Sequence, residues 1–256
     1  MDLRDLAMSS RVTAGPAANF DPRWKLAAVA GAVAATLLIR GLAGASLALA
    51  ASIVLAAWAR LPLRWVGTRL GMVIPFLALF TLPLPFLIHD QGPSWEWSGM
   101  RFSLRGATVA LLLLAKALTI LFLVLFVLGT APLDAILNAA RALGVPGLFV
   151  YLVLLSNRYV FVLGEELARL RIALRVRGFR NRADRHSYRT IGHVAGTLLV
   201  RGHERAERVA QAMRCRGFDG RFRSLTAFHT TARDVVLFLL IAIAAILVVV
   251  LDWFYR

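Results

Sequence analysis

The chain has 256 residues, of which 59% are hydrophobic, and a formal net charge of +16. Its mean hydropathy of +0.70 and its apolar share exceed the roughly 45–50% typical of a soluble domain, which excludes a purely water-soluble fold. The lone cysteine, Cys215, excludes an intramolecular disulfide and any cysteine-built metal cluster.

Residues 1–25 are polar and contain no apolar run ending in a small-residue cleavage site, so no cleavable leader is expected. About 20 apolar residues cross a ~30 Å hydrocarbon core as a helix, because lipid offers backbone groups no hydrogen-bond partners. Five such runs are predicted, at 26–39, 42–58, 70–88, 107–128 and 235–251. Arg40 and Gly41 alone separate the first two, which predicts a tight hairpin. Pro75, Pro83 and Pro85 should kink or unwind the third. Residues 147–163 are also apolar, but Asn157 and Arg158 interrupt them and polar residues 165–177 follow directly. A helix lying along, or dipping into, the cytoplasmic face is expected there.

Charge is segregated along the chain. Residues 157–223 hold sixteen arginines, no lysine and six acids. Arg60, Arg64 and Arg69 join the second and third runs, whereas residues 89–105 are aromatic and mixed in charge (Asp90, Trp95, Glu96, Trp97). The positive-inside rule places both arginine-rich stretches in the cytoplasm. Five spans then give a cytoplasmic N-terminus and an external C-terminus.

Within the basic block a ten-residue stretch is echoed. Residues 173–182 read ALRVRGFRNR and residues 212–221 read AMRCRGFDGR, with the whole Arg-x-Arg-Gly-Phe core shared. Each copy follows a stretch of helical periodicity: Leu167, Leu170 and Leu174 before the first, and Leu198, Leu199, Val209 and Met213 before the second. Gly178 and Gly217 suit the left-handed position just past a helix end, with Phe179 and Phe218 folding back on the last turn. A guanidinium at a rigid helix end can grip carboxylates and carbonyls bidentately. Two such ends imply a partner with two equivalent sockets.

At these residues the chain resembles the transmembrane coupling (T) component of energy-coupling-factor transporters, of the CbiQ type that serves cobalt uptake. That family carries two short motifs, usually Ala-Arg-Gly, each ending a coupling helix; here they read Val176-Arg177-Gly178 and Cys215-Arg216-Gly217. Asp21-Pro22-Arg23 with Lys25-Leu26, Thr130-Ala131-Pro132, the segment Ala142-Leu143-Gly144-Val145-Pro146, and Arg158-Tyr159 with Glu165-Glu166 add to the likeness, which covers residues 20–251.

The resemblance implies an all-α integral membrane protein of about five spans in the bacterial inner membrane, with long coupling helices. Its parts would be a cytoplasmic tail (1–23), four spans (24–131), a cytoplasmic coupling region (132–233), and a last span with an external tail (234–256). Two CbiO-like ABC ATPases would each receive one coupling helix, gripped through Arg177 and Arg216. A CbiM-like membrane protein, with a small accessory subunit, would carry the metal site. The chain itself would bind no ATP, metal or cofactor and would catalyse nothing; it contains no phosphate-binding Gly-x-x-x-x-Gly-Lys-Ser/Thr loop. Nickel, or a vitamin such as biotin, is the alternative cargo.

Other chemistries are weaker in the sequence. Of five histidines, His186 and His193 stand two helical turns apart, too far for a usual ligand pair. A membrane-embedded enzyme would need a nucleophile–base set or paired carboxylates in the spans, and the predicted spans hold no Asp, Glu or His. The arginine block suits anionic lipid as a secondary contact. It lacks the interleaved aromatics that nucleic-acid binding uses. Lys116 falls mid-span, where a charge marks either a polar seam or a snorkelling side chain.

Overall fold

The computed structural model describes residues 17, 20–87, 94–97, 100–218 and 230–254. His89, Asp90, His229, residues 219–221 of the second echo, and Arg256 lie outside the described residues. The helices are α1 (Pro22–Leu38), α2 (Leu42–Trp58), α3 (Leu63–Thr81), α4 (Leu84–Leu87), α5 (Leu104–Thr130), α6 (Leu133–Ala142), α7 (Gly147–Val176), α8 (Arg185–Cys215) and α9 (Ala232–Phe254). Between α4 and α5 lies one small antiparallel hairpin, β1 (Ser94–Trp97) and β2 (Met100–Ser103), with Trp97 opposite Met100. The sequence analysis expected an aromatic connection of mixed charge there and no strand. The architecture is otherwise that of an all-α membrane protein.

The described residues form two compact units, one of residues 20–143 with 230–254 and one of residues 144–218. In the first unit, α1 opens on Asp21, whose carboxylate accepts the Arg23 N–H at 3.0 Å while Pro22 takes the first helical position. The core joins Ala28, Val29 and Ala32 of α1 to Leu123 and Phe126 of α5 and to Leu237 and Ile241 of α9. Small residues on α1 let the neighbouring helices approach closely, as membrane packing requires.

In α3 one expectation is corrected, and another is met at only one of its prolines. The helix starts at Leu63, so Arg64 and Arg69 lie inside its first turns rather than in a loop, and Arg69 sits over the Trp65 ring at 5.5 Å. Pro75 is accommodated within the helix, and the break falls at Leu82 and Pro83 instead. Pro83 has no N–H to continue the ladder; its carbonyl starts the four-residue α4 by accepting from Phe86 and Leu87.

Polar groups tie the ends of α1 to α5 and α9. Lys25, buried in the first turn of α1, donates to the carbonyl of Thr130, the last residue of α5, at 3.5 Å. Asp234, in the first turn of α9, accepts the Asp21 N–H at 2.8 Å. At the other end Asp252, in the last turn of α9, accepts the N–H groups of Arg40 at 3.0 Å and Gly41 at 2.9 Å. These contacts set α1 parallel to α9 and antiparallel to α5.

α5 ends, and α9 begins, beside the start of α1. The chain therefore leaves this bundle after residue 130 and rejoins it before residue 234 at the same end. By length and apolarity alone α7 is one of four helices able to cross a membrane, with Leu63–Leu87, Leu104–Thr130 and Ala232–Phe254.

Candidate functional site

The unit Gly144–Ala227 contains both echoed motifs, and each ends a long helix. α7 stops at Val176 with Arg177 as its cap residue; α8 stops at Cys215 with Arg216 in the same role. Gly178 and Gly217 both have φ of 77°, the left-handed region in which a Cβ is penalised. The two turns share one hydrogen-bond pattern. Gly178 N–H donates to the Arg175 carbonyl at 3.0 Å and Phe179 N–H to the Leu174 carbonyl at 3.0 Å. Gly217 N–H donates to Arg214 at 3.0 Å and Phe218 N–H to Met213 at 3.1 Å. Both are Schellman caps, in which the two residues past the helix satisfy its last carbonyls. Phe179 with Leu174, and Phe218 with Met213, are the half-buried residues of these turns.

The cap fixes where each arginine points from. Arg177 and Arg216 are exposed, and among the described residues neither guanidinium has a hydrogen-bond or ion-pair partner. Arg214, two residues earlier, turns back and donates from Nε to its own helix at Ala210, 3.4 Å away. Val176 is 83% exposed and Cys215 is exposed, so side-chain size at that position is not set by packing within this chain. The structure brings Val176, Arg177 and Gly178 into one helix end and Cys215, Arg216 and Gly217 into its copy.

Sequence reading missed how the first end is anchored. Ser187 is buried near the start of α8, where its hydroxyl accepts the Arg182 N–H at 3.3 Å and donates to the Arg180 carbonyl at 3.5 Å. This stitches the chain leaving Gly178 onto α8. Arg177, Arg180, Arg182 and His186 then line a concavity of about 520 Å³. A serine three residues past Asp184 was the available signal.

Among the described residues no group of three or more His, Cys, Asp or Glu is assembled to hold a metal. In the apolar bundle a cavity of about 440 Å³ is lined by Ala32, Ser52, Thr119, Leu237 and their neighbours. Its hydroxyls are turned onto helix carbonyls, Thr36 to Ala32, Ser52 to Leu49 and Thr119 to Ala115. A cation would find no ligand set there.

These features define a multi-pass, all-α membrane protein with a basic helical pair whose two ends match. The chain belongs to the CbiQ family: the family model described as cobalt transport protein matches residues 15–228. It is 30% identical over 189 residues to the cobalt transport protein CbiQ of Rhodobacter capsulatus, covering 73% of each chain. It is 31% identical over 105 residues to the nickel permease LarQ of Lactiplantibacillus plantarum, covering 41% of this chain and 38% of that one. An uncharacterized protein of Methanocaldococcus jannaschii, MJ1089, is 30% identical over 149 residues, 58% of this chain. The match spans about half of that archaeal protein's length, 54%.

Proposed function

We propose that the chain is the transmembrane coupling component of an energy-coupling-factor importer for cobalt. In this reading it neither hydrolyses ATP nor ligates the ion. Two CbiO-like ATPases dock on the ends of α7 and α8, and a CbiM-like membrane subunit, with a small accessory partner, carries the cargo. Residues 132–233 are cytoplasmic, as is the N-terminus, in a bacterial inner membrane whose anionic lipids meet the remaining arginines.

The observation that carries this reading is the pair of matching Schellman caps presenting Arg177 and Arg216 without a partner among the described residues. A solvated arginine face would not need two rigid copies. Nickel is the second cargo, favoured by the likeness to LarQ. The test is co-expression with candidate ATPase and CbiM-like subunits. A stable complex that takes up cobalt or nickel with ATP supports the reading; a chain that captures no ATPase overturns it.

A further inference from the structure

The two helices that end in the matched arginines are long and sparsely packed. Val150 is the buried residue of α7 and Ser187 that of α8. Apolar packing of that extent does not fix an angle between two helices about 45 Å long at 1.5 Å per residue. They meet part-way along their lengths, where a Cβ on Gly202 would lie 3.8 Å from Leu163 Cδ2. Beside this approach the Glu166 carboxylate is paired with the Arg201 guanidinium. The Glu166 side chain is 17% exposed and that of Arg201 51%, so water screens the pair only in part.

The other ion pairs described on these helices, Arg169–Glu165 and Arg208–Glu204, each lie within one helix at i,i+4 spacing, as does the His203–Glu207 contact. Such pairs support a helix and say nothing about its neighbour. We propose that Glu166–Arg201 is the pivot that fixes α7 against α8 and so sets the separation of the Arg177 and Arg216 ends. Glu166 and Arg201 are positioning residues that act through the two arginines. An exposed ion pair on a well-packed scaffold contributes little to stability; here it is one of few constraints, so its effect falls on geometry. At 1.5 Å per residue Arg177 lies about 17 Å from the pivot and Arg216 about 23 Å. The same rotation therefore sweeps the Arg216 end further, and two like partners would receive unequal displacements.

The part concerning transport rests on the coupling reading; the pivot itself does not. Cys215 is the natural cysteine, and Val176→Cys supplies its counterpart at the other end. Spin labels at these two sites, in the full chain in lipid nanodiscs, report the separation directly. The original pair should give one narrow distance distribution. Glu166→Gln or Arg201→Gln should broaden it at least twofold, and the charge swap Glu166→Arg with Arg201→Glu should restore it. An unchanged distribution in both single variants, with helicity intact, overturns the pivot. In the reconstituted complex, with the native residue at 176, Glu166→Gln should retain ATPase capture while uptake per ATP falls several-fold. Capture lost in the parent as well would instead fault the coupling reading.

Discussion

Lys116, midway along α5, donates to the carbonyl oxygen of Leu37 in the last turn of α1 at 3.2 Å. The sequence left this lysine between a polar seam and a snorkelling side chain; it is a helix cap. Lys25 in α1 returns the arrangement by capping α5 at Thr130. Both lysines of the chain thus sit where carbonyls lack intrahelical partners and where the helix dipole favours a positive charge. Lys116→Met should remove this donor from the Leu37 carbonyl, a loss of about 0.5–1.5 kcal/mol. Thermal unfolding in detergent should shift down, with ATPase capture at fixed protein concentration unchanged. An unshifted transition would remove the capping role.

Arg177→Glu and Arg216→Glu should each weaken ATPase docking more than Arg175→Glu or Arg214→Glu. Removing one partner of a desolvated charge contact costs about 2–5 kcal/mol, or roughly 30-fold upward in affinity. The double change should nearly abolish capture while the chain stays inserted. Co-purification at constant ionic strength checks this. Equal losses at all four positions would mean that diffuse charge, and a lipid surface, explain the arginines.

Gly178→Ala and Gly217→Ala keep both arginines but place a Cβ at φ of 77°, which costs about 1–2 kcal/mol. Docking should fall about 5- to 30-fold through displacement of the cap, and asparagine, which tolerates this conformation, should do less harm. Surface plasmon resonance against purified ATPase would measure it. Alanine variants that bind like the parent would show that the cap does not present the arginine.

The two caps were legible in the sequence because every group involved lies within six residues: helix periodicity, arginine, glycine and phenylalanine together define the turn. The spans were legible for the same local reason: 42–58 is a helix with those bounds, whereas the run at 26–39 became the seventeen-residue helix Pro22–Leu38. What escaped was the pairing across the chain. Asp252 read as the start of an external tail, yet it lies inside α9 with its carboxylate on Gly41, 211 residues away. Its space is reserved by glycine: a Cβ at Gly41 would stand 2.4 Å from Asp252 Oδ1, and one at Gly44 2.5 Å from it. No local pattern announces such a fit. The Glu166–Arg201 pair was hidden likewise among many exposed charges.

Topology gives a further expectation. Single cysteines at Arg40 and Arg185, in a Cys215→Ser background, should lie on opposite faces of the membrane. An impermeant maleimide applied to intact cells should reach position 40 and spare position 185. Labelling at position 185 from outside would invert the arrangement.

Asp252→Ala should orphan the amides of Arg40 and Gly41, at about 1–3 kcal/mol for each left without a partner. Asp252→Asn, which keeps one acceptor oxygen, should lose less. Differential scanning fluorimetry in detergent separates the two, and equal, negligible shifts would show that water or lipid headgroups replace the carboxylate.

The Asp252 contact also orders events on the ribosome. The α1–α2 hairpin emerges and enters the bilayer long before α9 has been translated. Until then two backbone amides at its turn have no carboxylate to accept from them. The hairpin is therefore finished by a segment made some two hundred residues later.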